Sequence, residues 1–244
     1  MTIEEYLLFL LGLVLCGLFA GFASYKVNTT FNNYSKKQCA SRMTGYDAAK
    51  RLLRANGVTD IAVQRVSGTL TDHYHPTKRV VNLSDSTYGS PSVGAVAVAA
   101  HEIGHVMQKK KGYLPYKIRT ALVPVANIGS RLALPLVLLG LVLDVLVYTA
   151  GESSLGFTLA MVGVALYGSA FLFQLVTLPV EYNASRRAKK MLREEGILTD
   201  SELVGADKVL DAAALTYVAG MATSLLYFLR FMIWVLAIFG RRRD

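Results

Sequence analysis

The stretch VAAHEIGHVMQKKKG (98–112) decides how the rest of this chain is interpreted. It holds two of the four histidines, four positions apart, with a glutamate directly after the first. Residues four apart on an α-helix project from one face, so His101 and His105 can bind a single metal ion. Glu102 can then reach a water on that ion and act as the general base of a hydrolysis. The alternative is a chance pattern on an alanine-rich helix, but this composition would produce HExxH only about 0.002 times per chain.

The chain is apolar enough to be an integral membrane protein. Its 244 residues are 53% hydrophobic and carry a net charge of +9. Four segments are long and apolar enough to span a bilayer, namely Tyr6–Ser24, Leu132–Ala150, Phe157–Val180 and Ala212–Gly240. The first is predicted to be a retained anchor rather than a cleaved signal peptide, because two glutamates precede it and Lys26 follows it. We therefore expect a multi-pass protein with the lipid bilayer as a partner, and we expect no binding to nucleic acid.

Basic residues predict which side of the membrane the segments between the spans occupy. Lysines and arginines cluster after the first span, before the second and after the third, whereas the 151–156 link carries none. The positive-inside rule therefore places residues 26–131 and 181–211 in the cytoplasm. A single crossing by the last segment would leave the arginines at 241–243 outside. A re-entrant or interfacial helix over 212–244 is therefore an open alternative.

Local patterns predict a small α+β region between the first two spans. A capping-box pattern predicts an amphipathic helix, β-branched runs predict two strands, and a polar stretch between the strands predicts a turn. These segments are 44–57 for the helix, Ile61–Val66 and Arg79–Leu83 for the strands, and DHYHP (72–76) for the turn. Ser92 is a suitable N-cap for the helix that carries HEIGH, and Gly112 follows the end of that helix.

A hydrolytic zinc site normally has three protein ligands, so HEIGH needs a third. Glu181 lies directly after the third span, on the same predicted side as HEIGH, and is our preferred ligand. A carboxylate favoured by the dipole at a helix N-terminus is the structural alternative for this residue. Asp144 in the second span is the rival ligand, because ionisable residues inside a membrane are often functional. It would make the protein a site-2-type intramembrane metalloprotease.

Other side chains are candidates for stabilising a transition state. His73 lies near the predicted cleft, and Tyr217 and Tyr182 carry hydroxyl donors of the kind that some zinc peptidases use at the oxyanion. His73 and His75 could also be metal ligands in an unusual site, and the alternative for both is a turn position near the cleft.

Four motifs occur in the order found in one known family: LTDHYHP (70–76), AAHEIGHVMQ (99–108), LVPVANIGS (122–130) and LPVEYNASRRA (178–188). Together they resemble the YugP-like neutral zinc metallopeptidases of bacterial membranes, over most of residues 40–225. The resemblance implies a gluzincin-type site. In such a site His101, His105 and Glu181 would bind one Zn²⁺ ion, and Glu102 would be the base.

The resemblance also has implications for the surroundings of the metal. EYNAS is similar to the EYxAD segment of HtpX-like and CAAX-type membrane metallopeptidases, whose final aspartate orients a ligand histidine. Ser185 occupies that position here, which implies a different hydrogen bond to the histidine. His75 stands where many relatives have an aspartate. By the same resemblance, Arg79–Leu83 would be the edge strand that aligns a substrate backbone by β-augmentation.

The expected protein is therefore a mainly α-helical membrane protein. It has three to four transmembrane helices and a small α+β, zincin-like catalytic region that faces the cytoplasm. The expected activity is that of a zinc-dependent endopeptidase acting on unfolded or membrane-associated polypeptides, and a non-catalytic zinc-binding scaffold is a further alternative. The expected regions are an N-terminal anchor (1–25), a catalytic region (26–120), a transmembrane hairpin (121–180), a cytoplasmic segment with the third ligand (181–211) and a C-terminal membrane-associated helix (212–244).

Overall fold

The computed structural model describes residues 3–146 and 155–240. Within these ranges the chain forms seven α-helices and three β-strands. In chain order they are α1 (Ile3–Ser35), α2 (Gly45–Ala55), β1 (Ala62–Val66), β2 (His73–His75), β3 (Val80–Ser84), α3 (Asp85–Tyr88), α4 (Val93–Lys110), α5 (Leu114–Leu146), α6 (Leu155–Glu194) and α7 (Asp200–Gly240). Most of the predicted outer link and the arginines at 241–243 lie outside the described residues.

Four helices are long and apolar enough to cross a membrane: α1, α5, α6 and α7. The described part of the chain is thus mainly helical, with four membrane-length helices and a small sheet. Each helix continues beyond the apolar run that predicted it. For example, α5 begins at Leu114, well before the predicted span at Leu132, and α1 continues past Ser24 to Ser35.

The chain divides into two compact units. We call one the membrane-helix unit, which takes in residues from 1–20, 118–178 and 217–244. The other is the α+β unit, formed by residues 21–117 and 179–216. The four long helices each contribute residues to both units.

In the membrane-helix unit, α5 and α6 pack through small residues. A Cβ added to Gly129 or Gly140 of α5 would collide with backbone atoms of α6, and one added to Gly163 of α6 would collide with backbone atoms of α5. Lipid supplies no hydrophobic force to pair helices, so close backbone contact at small residues is the usual source of such packing. The arrangement therefore agrees with α5 and α6 pairing inside a bilayer.

The sheet of the α+β unit has the order β1-β3-β2. Strand β1 pairs parallel with β3, and β2 pairs antiparallel with β3. All five residues of β3 are buried. The predicted role of Arg79–Leu83 as a substrate-binding edge strand is therefore wrong, because both edges of β3 already hold partner strands. The two edge strands are β1 and β2.

The predicted turn at DHYHP is also corrected, since His73–His75 forms strand β2. Asp72 fixes the start of this strand by accepting hydrogen bonds from the backbone N–H and the hydroxyl of Ser84, each at 2.8 Å. The chain reverses later, at 76–79, where Arg79 has a φ of 54°. A segment of three residues is too short to show the alternation of apolar and polar side chains that indicates a strand. Its pairing with β3 is what makes it a strand.

The predicted helix boundaries of this unit are confirmed. Thr44 caps α2 in a capping box with Asp47, and the Ser92 hydroxyl accepts from the backbone N–H of Ala95 at the start of α4. Gly112 follows α4 with a φ of 64°. These local signals place the HEIGH helix where the sequence predicts it.

Candidate metal centre

Helix α4 carries His101 and His105, and α6 carries Glu181. The Oε2 atom of Glu181 lies 3.1 Å from Nε2 of His101 and 3.4 Å from Nε2 of His105. The two imidazole rings are 4.8 Å apart and nearly perpendicular, at 88°. Within residues 3–146 and 155–240, these side chains are the one group of three or more histidine, cysteine or acidic residues close enough to share a metal ion.

The three side chains meet because α4 and α6 approach closely at Gly104. A Cβ on this residue would overlap the carbonyl oxygen of Ala184 and touch its carbonyl carbon and Cα. Gly104 lies three residues after His101 and one before His105, so it is on the same side of α4 as the histidines. The glycine therefore sets the distance that lets a carboxylate on α6 reach two imidazoles on α4.

Glu102 is buried beside this group, with 7% of its surface exposed. Burial is the main cause that raises the pKa of its carboxyl to about 7, and the carboxylates of Glu181 and Asp72 act in the same direction. His101 and a hydrogen bond from the backbone N–H of Tyr74 act in the opposite direction. A carboxyl group with a pKa near neutrality is suited to take up and release a proton at neutral pH.

The outward ring nitrogens of both histidines have partners. Nδ1 of His101 lies 3.1 Å from the Ser185 hydroxyl, and Nδ1 of His105 lies 3.0 Å from Oε1 of Gln108. Both contacts leave the Nε2 atoms facing Glu181. Ser185 was a candidate for such a role, whereas sequence reasoning missed Gln108, which follows the second histidine by three residues and could have been found from that helical spacing.

The hydrogen bonds of His73 and His75 are made outside this group. The ring nitrogens of His73 contact the Thr71 carbonyl oxygen (2.9 Å) and the Asn82 side-chain amide (3.0 Å). Nδ1 of His75 accepts from the backbone N–H of Lys78 at 3.3 Å. The functional roles predicted for His73 and His75 therefore remain predictions.

The remaining candidates belong to three helices. Tyr182 is 43% exposed on α6, Tyr217 lies in the part of α7 assigned to the membrane-helix unit, and Asp144 lies near the end of α5 in the same unit. Their proposed functional roles remain predictions.

The donor set fits a zinc ion. Two imidazoles and one carboxylate are ligands that zinc accepts, and a catalytic zinc site uses three such protein ligands. Glu181 is only 2% exposed. Its negative charge disfavours the ionised form of the nearby Glu102 carboxyl. A divalent cation between the imidazoles and the carboxylates would offset this repulsion.

Comparison with known proteins agrees with this site. Residues 7–236 match the family described as "Putative neutral zinc metallopeptidase". The chain therefore belongs to this zinc metallopeptidase family, as its four motifs predict. A relative from Bacillus subtilis (strain 168), named "Putative membrane protease YugP", is 44% identical over 211 residues, which cover 86% of this chain and 89% of the relative. No solved structure matches the chain.

The contact at Gly104 generates a direct prediction. Gly104→Ala forces the α4 and α6 backbones apart, so we expect a loss of about 1–3 kcal/mol in the free energy of unfolding and weaker zinc binding. Thermal unfolding and zinc titration of the purified protein measure the two effects. Gly89→Ala is the matched control, because a Cβ at that exposed position meets no atom within 4 Å. Unfolding and zinc affinity like those of the unsubstituted protein in Gly104→Ala would contradict the role of this contact.

Proposed function

We propose that this membrane protein is a zinc-dependent endopeptidase, with His101, His105 and Glu181 as the zinc ligands. The observation that carries the proposal is the position of the Glu181 carboxylate, 3.1 and 3.4 Å from the Nε2 atoms of the two histidines. Family membership and the name of the relative support the same activity class. The zinc ion would supply the Lewis acidity that makes water nucleophilic at neutral pH and polarises the scissile carbonyl.

Glu102 is the proposed general base. Its carboxylate takes a proton from the attacking water and later returns it to the leaving amide nitrogen, so that one water is added across the peptide bond. The pKa of about 7 supports both halves of this transfer. The hydrogen bond from the Tyr74 N–H holds the carboxylate in place between β2 and the metal ligands. Because metal binding does not require Glu102, its presence favours an enzyme over a non-catalytic scaffold.

The proposed substrates are polypeptides in an extended conformation, as unfolded or membrane-associated chains provide. The Tyr74 N–H points to Glu102 and therefore away from β3, so the unpaired edge of β2 faces the proposed base. An extended segment added to this edge would lie beside Glu102. The edge strand β2 thus takes the role that the sequence analysis assigned to Arg79–Leu83.

The proposed ligand set uses Glu181 rather than Asp144. Glu181 belongs to the same compact unit as the two histidines, and Asp144 belongs to the membrane-helix unit. Glu181 is also buried in contact with both imidazoles. These observations support a gluzincin-type site over a site-2-type intramembrane protease.

Substitution of the base gives the sharpest test of catalysis. In Glu102→Gln the amide oxygen still accepts from Tyr74, but it cannot take a proton. We therefore expect zinc content to remain while turnover of an unfolded polypeptide falls by about 10²–10⁴-fold. Glu194→Gln is the control, because that carboxylate is exposed on α6 and lies outside the site. Full turnover by Glu102→Gln would contradict the mechanism, and an inactive but zinc-loaded unsubstituted protein would favour a scaffold.

We also propose that the metal centre faces the cytoplasm of a bacterial cell. The proposal is supported by the lysines and arginines that flank the long helices in the α+β unit, since such residues concentrate on the cytoplasmic side.

Cysteine labelling measures this orientation. Lys78 is exposed in the α+β unit, so Lys78→Cys, in a chain whose Cys16 and Cys39 are replaced by alanine, presents one accessible thiol. We expect a membrane-impermeant maleimide to label it in inverted vesicles and not in intact cells. Labelling in intact cells would contradict the proposed cytoplasmic orientation.

A further inference from the structure

Gln108 connects His105 to helix α6. It is fully buried, and its Oε1 atom lies 3.0 Å from Nδ1 of His105. Its Nε2 atom donates to the backbone carbonyl of Val180 at 2.7 Å and to Oδ1 of Asn183 at 3.1 Å. All the polar atoms of this side chain are therefore engaged, on one side by a metal ligand and on the other by α6.

The orientation of the Gln108 amide follows from its partners. The Val180 carbonyl oxygen can only accept a hydrogen bond, so the nitrogen of Gln108 must face it. The identity of the Asn183 atom nearest to Gln108 follows from the same reasoning. Nε of Arg187 donates to this atom at 2.7 Å, and a guanidinium can only donate. That atom is therefore the oxygen Oδ1. Both partners require the amide nitrogen of Gln108 on the α6 side, which turns its oxygen to His105.

This orientation decides which nitrogen of His105 carries the proton. An amide oxygen only accepts, so Nδ1 of His105 must donate to Gln108. The lone pair of the neutral imidazole is then on Nε2, the atom that faces Glu181. At His101 the corresponding partner is the hydroxyl of Ser185, which can donate or accept and so selects no tautomer by itself.

The same amide also fixes the position of the third ligand. Val180 directly precedes Glu181, and Asn183 follows it by two residues. Hydrogen bonds from one side chain to both positions hold this turn of α6 against α4. Gln108 thus restrains the Nε2 atom of His105 and the carboxylate of Glu181 together.

The C-terminus of α4 also contacts Arg187. Gly112, with its φ of 64°, allows a Schellman ending in which the N–H of Tyr113 bonds to the Gln108 carbonyl oxygen at 3.0 Å. The centroid of the Tyr113 ring then lies 5.8 Å from Cζ of Arg187, a cation–π contact. The C-terminal turn of α4 therefore contacts, through the Tyr113 ring, the Arg187 guanidinium that orients the Asn183 amide.

We propose that the series Arg187, Asn183, Gln108 is a positioning relay that presents the Nε2 lone pair of His105 to zinc. The proposal rests on the zinc site proposed above. Gln108, Asn183 and Arg187 are positioning residues, since they act on the metal through His105 and Glu181. Outer hydrogen bonds of this kind typically contribute roughly 10–100-fold to metal affinity.

Two substitutions of Asn183 test the relay, because one keeps the accepting oxygen and the other removes it. Asn183→Asp keeps an oxygen that accepts from both Gln108 and Arg187, whereas Asn183→Leu removes it. We expect zinc affinity to stay within about threefold in Asn183→Asp and to fall by roughly 10-fold or more in Asn183→Leu. Gln108→Leu should weaken zinc binding by up to about 100-fold. Gln64→Leu, on the exposed face of β1, is the control for the change of side chain.

The measurement is zinc titration of the full-length protein in detergent against a chromogenic chelator, without any assay of proteolysis. Thermal unfolding of the zinc-free variants shows whether each one is folded, and the Asn183 pair decides the question if Gln108→Leu is not. Equal affinities for Asn183→Leu and Asn183→Asp would overturn the relay alone. An unsubstituted protein that fails to bind zinc would instead overturn the proposed function and the relay with it.

Discussion

The contact of α4 with α6 at Gly104 and Ala184 is the constraint on which the candidate site depends. Two histidines on one helix turn can be specified locally, but their partner comes from a segment 76 positions beyond His105 along the chain. Only a backbone-to-backbone approach brings that carboxylate within 3.1–3.4 Å of both imidazoles. The Gln108 amide then locks the same pair of helices by hydrogen bonds, so packing and polar contacts act on one interface.

The electrostatics of the site follow from this packing. Closing α4 onto α6 buries Glu181 and brings it near Glu102, which is itself buried. Burial raises the pKa of Glu102 to about 7, and repulsion from the nearby Glu181 carboxylate acts in the same direction. A site of this kind is suited to hold a divalent cation and to move a proton, which are the two requirements of a zinc hydrolase.

The parts of this protein that could be predicted from sequence are those specified by nearby residues. The capping box at Thr44, the N-cap at Ser92 and the glycine after α4 all depend on contacts within a few positions, and the apolar runs of the long helices need no partner to be recognised. The strand at His73–His75 could not be predicted, because its only regularity is a pairing with β3. The central position of β3 was missed for the same reason, since strand order is a property of the whole sheet.

The residues of the candidate site also fall into those that local sequence predicts and those that it does not. HEIGH indicates two ligands and a base by helical spacing, and Glu181 was preferred by its place after a span. The relay through Gln108 and Asn183 was missed, because each residue is an ordinary helical amide until α6 lies against α4. Local patterns thus predict which chemistry is available, and the contact between helices determines how that chemistry is oriented.

The identity of the third ligand is the central claim, and zinc stoichiometry tests it most directly. We predict that purified Glu181→Ala, checked for folding by thermal unfolding, loses zinc more severely than the roughly 10–100-fold weakening expected from loss of an outer hydrogen bond. Asp144→Ala should keep one zinc per chain. Full zinc retention by Glu181→Ala would contradict the account, and zinc loss in Asp144→Ala would favour the rival ligand.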